Sequence, residues 1–128
     1  RSLAQVLIGL VDGGVVAASH DLSQGGLVQS LTESVLRFGV GARVDLAGVM
    51  ERDGVDAATA LFSESGARAI VATDDADAVV VLAATHGVPV ARLGVTDDSV
   101  GLAVAGQFQI PVVELDQAHR GTLPTLFA

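Results

Sequence analysis

The chain has 128 residues, 15 acidic against 7 basic side chains, and a formal charge of −8. Half of it is apolar, with no Trp or Tyr, no Cys, and Arg as the only basic residue besides 3 His. Those counts argue against a nucleic-acid reader, which needs basic grooves and aromatic faces, and remove Schiff-base lysine, P-loop, disulfide and thiolate chemistry. The length fits one domain, and no apolar run reaches the ~20 residues that cross a bilayer. A cysteine-free chain fits a cytosolic protein. It opens on Arg1 rather than Met, as expected of a trimmed protein or an excised domain.

In chain order, Leu3, Val6, Leu7 and Leu10 repeat at a helical period, and Asp12-Gly13-Gly14 stops them. Val15 to Ser19 reads as a short buried strand. After Gly25-Gly26, Leu27, Leu31 and Val35 stand at i, i+4 and i+8, with Gln29, Glu33 and Arg37 on other faces, so a helix is predicted to end near Phe38-Gly39. Ala42, Val44 and Leu46 alternate with Arg43 and Asp45 as a half-exposed strand. A connection follows, with a short helix over Ala57 to Leu61, then a strand over Ala67 to Thr73 and a helix over Ala76 to Thr85 led by Asp74-Asp75. Val88 to Val95 and Val100 to Ala105 read as two strands. The last stretch, Val112 to Phe127, is expected to be helical in part, broken at Gly121 and Pro124. Together these predict an α+β fold, helices packed on one face of a single mixed sheet of about four to five strands, within one domain over 1–128.

Chemistry is legible where the first strand meets the second helix, at Ser19-His20-Asp21-Leu22-Ser23-Gln24-Gly25-Gly26-Leu27. Free N–H groups and the positive end of the dipole make such a glycine-led helix start a cradle for phosphate. The alternative is a capping box between Asp21 and Gln24, three apart, with the glycines as a tight turn. Beside a cradle, Asp21 could meet Mg²⁺ through water. A second polar knot, Leu61-Phe62-Ser63-Glu64-Ser65-Gly66-Ala67-Arg68, reads as a helix-to-strand connection anchored by Phe62. A serine hydrolase built on Ser63 or Ser65 with His20 lacks the G-x-S-x-G elbow. His20, His86 and His119 lack metal-ligand spacing, with His86 and His119 expected near helix ends at the surface. The clusters Asp74-Asp75-Ala76-Asp77 and Asp97-Asp98 are solvated caps and turns.

Ala18 to Leu27, followed by Gly39-Val40-Gly41-Ala42-Arg43-Val44-Asp45-Leu46 and then Leu61 to Ser65, resembles the C-terminal domain of the large subunit of the phosphoribosylformylglycinamidine synthase family. Ile110-Pro111-Val112 and His119-Arg120-Gly121-Thr122-Leu123-Pro124 are similar to the way those chains finish, so the resemblance covers nearly the whole sequence. It implies membership of the wider superfamily related to aminoimidazole ribonucleotide synthetase. It also implies an ATP-dependent, amidine-forming C–N ligase of purine biosynthesis, acting on formylglycinamide ribonucleotide with glutamine-derived ammonia in the cytoplasm. ATP and Mg²⁺ would be held mainly by N-terminal domains of the same subunit, and a glutaminase subunit and a small accessory subunit would be partners. Neither a nucleic acid nor a membrane is expected as one. The residues that would face a phosphate-bearing ligand are His20, Asp21, Ser23, Gly25 and Gly26, with Ser63, Glu64 and Ser65 as a second group and Asp21 toward metal. The family commonly has an acid where this chain has Gln24, which puts a metal role there in doubt; Gln24 can still cap or donate to phosphate. The isolated chain is expected to be inactive. The alternatives are a noncatalytic assembly module, or a paralogue such as a selenophosphate synthetase-like or hydrogenase-maturation protein.

Overall fold

A computed structural model describes residues 1–99 and 101–127. In chain order the elements are α1 (Ser2–Asp12), β1 (Val16–Asp21), α2 (Gly26–Phe38), β2 (Gly41–Val44), α3 (Ala47–Asp53), α4 (Ala57–Phe62), β3 (Ala69–Thr73), α5 (Ala76–Thr85), β4 (Gly94–Asp97), β5 (Gly101–Val104), β6 (Phe108–Pro111) and α6 (Val112–Phe127).

The α+β class holds, but the strands divide between two sheets rather than forming one. β1 pairs antiparallel with β3, from Val16 opposite Thr73 to Asp21 opposite Ala69. The second sheet has the order β4-β2-β5-β6, with β2 and β5 parallel and the other pairs antiparallel. The division follows from where the helices bury their apolar stripes. Leu27, Leu31 and Val35 of α2 are buried with Ala42 and Val44 of β2, Leu102 and Val104 of β5, Leu61 of α4 and Leu115 of α6. Val6 and Leu10 of α1 meet Val79 and Ala83 of α5, with Val16 and Val71 of the two-stranded sheet beside them. The four-stranded sheet thus lies on the first core, and the two-stranded sheet borders both, with Ile70 of β3 packed against the first.

The strongest periodic signals are the ones realised. The stripe of α2 is buried at all three positions, and Gly39 ends the helix in the left-handed region at φ 66°. Asp75 caps α5 by accepting the Ala78 N–H at 3.0 Å. Three expectations fail. Val88 to Leu93 is not strand: Pro89 has no N–H to give a ladder, and pairing starts only at Gly94. The antiparallel partner of β5 is Phe108–Pro111, read as no element in the sequence, which returns through a turn at Gly106 (φ 72°). α6 runs on to Phe127, past both Gly121 and Pro124.

Candidate functional site

Alternation along β1 sends His20 and Asp21 to opposite faces. His20 turns toward α2. Its Nε2 lies 2.8 Å from Glu33 Oε2 and its Nδ1 lies 2.6 Å from the Asp21 carbonyl oxygen. The Asp21 side chain points away and is 83% exposed. Its backbone carbonyl nevertheless organises the corner, accepting also from the hydroxyl of Ser30, the one buried polar residue among those described.

The capping box does not form. Asp21 stays in the strand, α2 begins at Gly26, and its N-cap is Gly25 in the left-handed region (φ 79°) with no side-chain cap from its own loop. The missing acceptor comes from the second motif. The Gly25 N–H donates to Glu64 Oε1 at 2.8 Å. Gly26, also left-handed (φ 66°), lies so close to the end of α4 that a Cβ there would sit 2.8 Å from Leu61 O, Phe62 C and Ser63 O. These are all backbone atoms, so the approach requires glycine.

Arg68 fastens the second motif to the first. Its Nη2 donates to Ser63 O at 2.5 Å and its Nε to Ser65 O at 3.4 Å, while its own carbonyl accepts the Leu22 N–H at 2.9 Å. The hydroxyls of Ser63 and Ser65 bond to each other at 2.8 Å. Phe62 does not anchor the knot: it is 60% exposed, and Leu61, one position back on α4 and 3% exposed, enters the core instead. One residue is about 100° of helical rotation, enough to turn a side chain from core to solvent.

A cleft of about 390 Å³ opens along the start of α2, lined by His20, Ser23, Gln24, Gly25, Gln29, Ser30 and Glu33. Of the residues expected to face a ligand, His20, Ser23 and Gly25 line it, and Gly26 permits the close packing behind it. Asp21, Ser63, Glu64 and Ser65 do not line it, although Glu64 reaches its edge through Gly25. Gln29, Ser30 and Glu33 are functional candidates that the sequence reading left among the ordinary helix positions. Their spacing carried the signal, since 29 and 33 share a face and Gln29 Nε2 donates to Glu33 Oε1 at 2.9 Å. The Gln29 amide, ahead of the opposing effect of burial, and then the His20 ring hold the Glu33 carboxyl below the usual carboxylate range.

Among the described residues no group of three or more His, Cys, Asp and Glu side chains is placed to hold a metal ion. None of the described helices is long and apolar enough to cross a membrane.

The family described as AIR synthase related protein, C-terminal domain, matches residues 2–107. Among curated proteins, the chain is similar to phosphoribosylformylglycinamidine synthase subunit PurL of Leifsonia xyli, 52% identical over 133 residues that span 99% of this chain and 17% of that protein. It is also similar to the same subunit of a Parafrankia species, 48% identical over 131 residues, 99% of this chain and 16% of that one. The chain thus spans less than a fifth of the length of these relatives. Among solved structures it superposes on T. maritima PurL complexed with ATP, with a TM-score of 0.80 at 24% identity, over 89% of this chain and 21% of that one. Thiamine-monophosphate kinase from Stenotrophomonas maltophilia is further off, with a TM-score of 0.61 at 26% identity over 78% of this chain and 34% of that one. A match across residues 2–107, on a fold shared with these structures, means that the chain belongs to the AIR synthase related protein C-terminal domain family.

Proposed function

We propose that this chain is the C-terminal domain of a phosphoribosylformylglycinamidine synthase large subunit, and that its glycine loop faces a phosphate-bearing ligand of that enzyme. The observation that carries the reading is the joining of both sequence motifs at one helix start, Glu64 on the Gly25 N–H and Ser63 against Gly26, in a chain 52% identical to such a subunit along nearly its whole length. The reaction of the whole enzyme is the ATP-dependent conversion of formylglycinamide ribonucleotide to its amidine with glutamine-derived ammonia, in the cytoplasm. T. maritima PurL has been solved complexed with ATP and with FGAR, and within PurLQS, which supports a nucleotide, a ribonucleotide and partner subunits for this reading.

In this chain the work is binding. Ser23 offers a hydroxyl, the positive end of the α2 dipole lies at the loop whose Gly25 N–H is already given to the Glu64 carboxylate, and His20 is held in place by Glu33 and the Asp21 carbonyl. Gly26 brings this loop against Ser63, so the second group shapes the cradle from outside. ATP and Mg²⁺ belong mainly to the N-terminal domains of the subunit. The described residues have no carboxylate cluster fitted to Mg²⁺, and Asp21, facing away from the cleft, could meet it only through water. The glutaminase and small accessory subunits supply ammonia and assembly.

The test is a chimera in which this chain replaces the matching 133 residues of the Leifsonia xyli subunit, assayed for ammonia-dependent amidine formation. The chimera should turn over and the isolated chain should not. Ser23→Ala in the chimera should raise KM for the phosphate-bearing ligand by about 10- to 100-fold, the worth of one charge-assisted hydrogen bond, and His20→Gln, which removes the ring that Glu33 and the Asp21 carbonyl hold at the cleft wall, should raise it as well. Turnover by the isolated chain, or a folded chimera indifferent to both substitutions, would overturn the reading.

A further inference from the structure

Two of the seven arginines and two of the three histidines in this acidic chain converge on one cleft. It has a volume of about 370 Å³, lies between α2 and α6, and is bounded by His20, Glu33, Arg37, Asp116, His119 and Arg120. His20 and Glu33 form the wall it shares with the glycine-loop cleft, so the two compartments adjoin along α2.

The acids in this cleft are already engaged. Glu33 accepts from Gln29 and faces His20 Nε2, and Asp116 Oδ1 accepts from Arg120 Nε at 2.6 Å, one turn along α6. The Arg120–Asp116 pair is open to water, its side chains 79% and 41% exposed, and exposed pairs of this kind contribute little. Arg120 can therefore turn to a stronger acceptor at small cost. Arg37 is exposed, and its guanidinium lies over the Phe38 ring, 5.6 Å from the centroid. Two guanidinium forks from different helices and an imidazole supply more donors than a carboxylate can accept. A phosphate group, with up to two charges and several acceptor oxygens, matches them.

We propose that the α2–α6 cleft is an anion subsite in its own right, taking a phosphate group, free or esterified, on Arg37, His119 and Arg120. It does not depend on the glycine loop being a cradle.

The test titrates the chain with inorganic phosphate and, separately, with AMP, following the His119 ring signals and the Gly25 amide by NMR. His119 should respond saturably in the wild type. Arg37→Gln with Arg120→Gln should weaken binding by about tenfold or more. Asp116→Asn, which frees Arg120, should tighten it by about threefold, while Asp77→Asn, the same charge change on the exposed side of α5, should leave it unaltered. Tighter binding of AMP assigns the group to an ester, and tighter binding of inorganic phosphate assigns it to the free anion. Unchanged affinity in the double variant, or equal tightening by Asp77→Asn, overturns the subsite. Should the double variant fail to fold, the two Asn variants decide alone. A response at Gly25 without one at His119 overturns this subsite and leaves the loop reading standing; a response at His119 without Gly25 does the reverse. Silence at both overturns the two together.

Discussion

The main-chain N–H of Gly25 donates to the carboxylate of Glu64 at 2.8 Å, across 39 positions of sequence. This contact satisfies a donor that no residue of its own loop reaches. It also makes the second motif part of the first: the turn after α4 is held by Arg68, and it in turn holds the start of α2.

Gly26 is where that union leaves no room for a side chain. Gly26→Val should destabilise the fold by about 2–5 kcal/mol, combining the left-handed backbone of a β-branched residue with overpacking against backbone atoms that cannot step aside. Urea unfolding measures it, and a midpoint matching the wild type would show that the loop and the end of α4 need not touch. A valine here is consequently a poor probe of ligand binding, because loss of binding and loss of fold would coincide.

Ser30 ties the end of β1 to α2 from within. Its hydroxyl donates to Asp21 O at 3.0 Å and lies 3.3 Å from Gly26 O, and the residue is 2% exposed. Ser30→Ala should cost about 1 kcal/mol by removing one buried donor. It should also broaden the His20 ring signals, since His20 shares the Asp21 carbonyl. Unchanged stability together with an unchanged His20 spectrum would count against the corner being built this way.

Glu33 makes stability depend on acid pH. Its carboxyl is held below the ordinary value of 4.5 in the fold, so the unfolded chain takes up the proton at a higher pH than the folded one. The stabilisation it contributes is complete above that value and is lost as pH falls through the lower, folded-state value. Glu33→Gln should therefore show a shallower decline in stability than the wild type below about pH 4.5, followed by thermal melts at stepped pH. Parallel declines would mean that the Gln29–Glu33–His20 chain is not maintained in solution.

What could be read ahead of the fold was whatever has short range. The i, i+4, i+8 stripe of α2 needs only helical geometry to meet a core, and Gly39 and Asp75 act on their own helix ends. The His-Asp-x-Ser-x-Gly-Gly run and the order of the motifs marked the family. The prediction failed where neighbours compete. Asp21 and Gln24 have capping-box spacing, but β1 keeps Asp21 in its pairing with Ala69, and the N–H of the N-cap residue Gly25 is met instead by Glu64, 39 positions further on. Phe62 reads in the sequence as the anchor of the second motif, and the rotation of α4 against α2 chose Leu61 instead.

The same division applies to the candidate site. Hydrophobic period, glycine positions and the absence of Lys and Cys were enough to set most of the elements before β4 and to limit the chemistry, because each depends on local geometry or on composition alone. Only packing could bring Glu64 to Gly25, face Glu33 toward His20 and set α6 beside α2, because each of these contacts joins separate elements and exists only once two cores have formed. The basic cleft between α2 and α6 belongs to that second kind, its residues spread from position 20 to position 120.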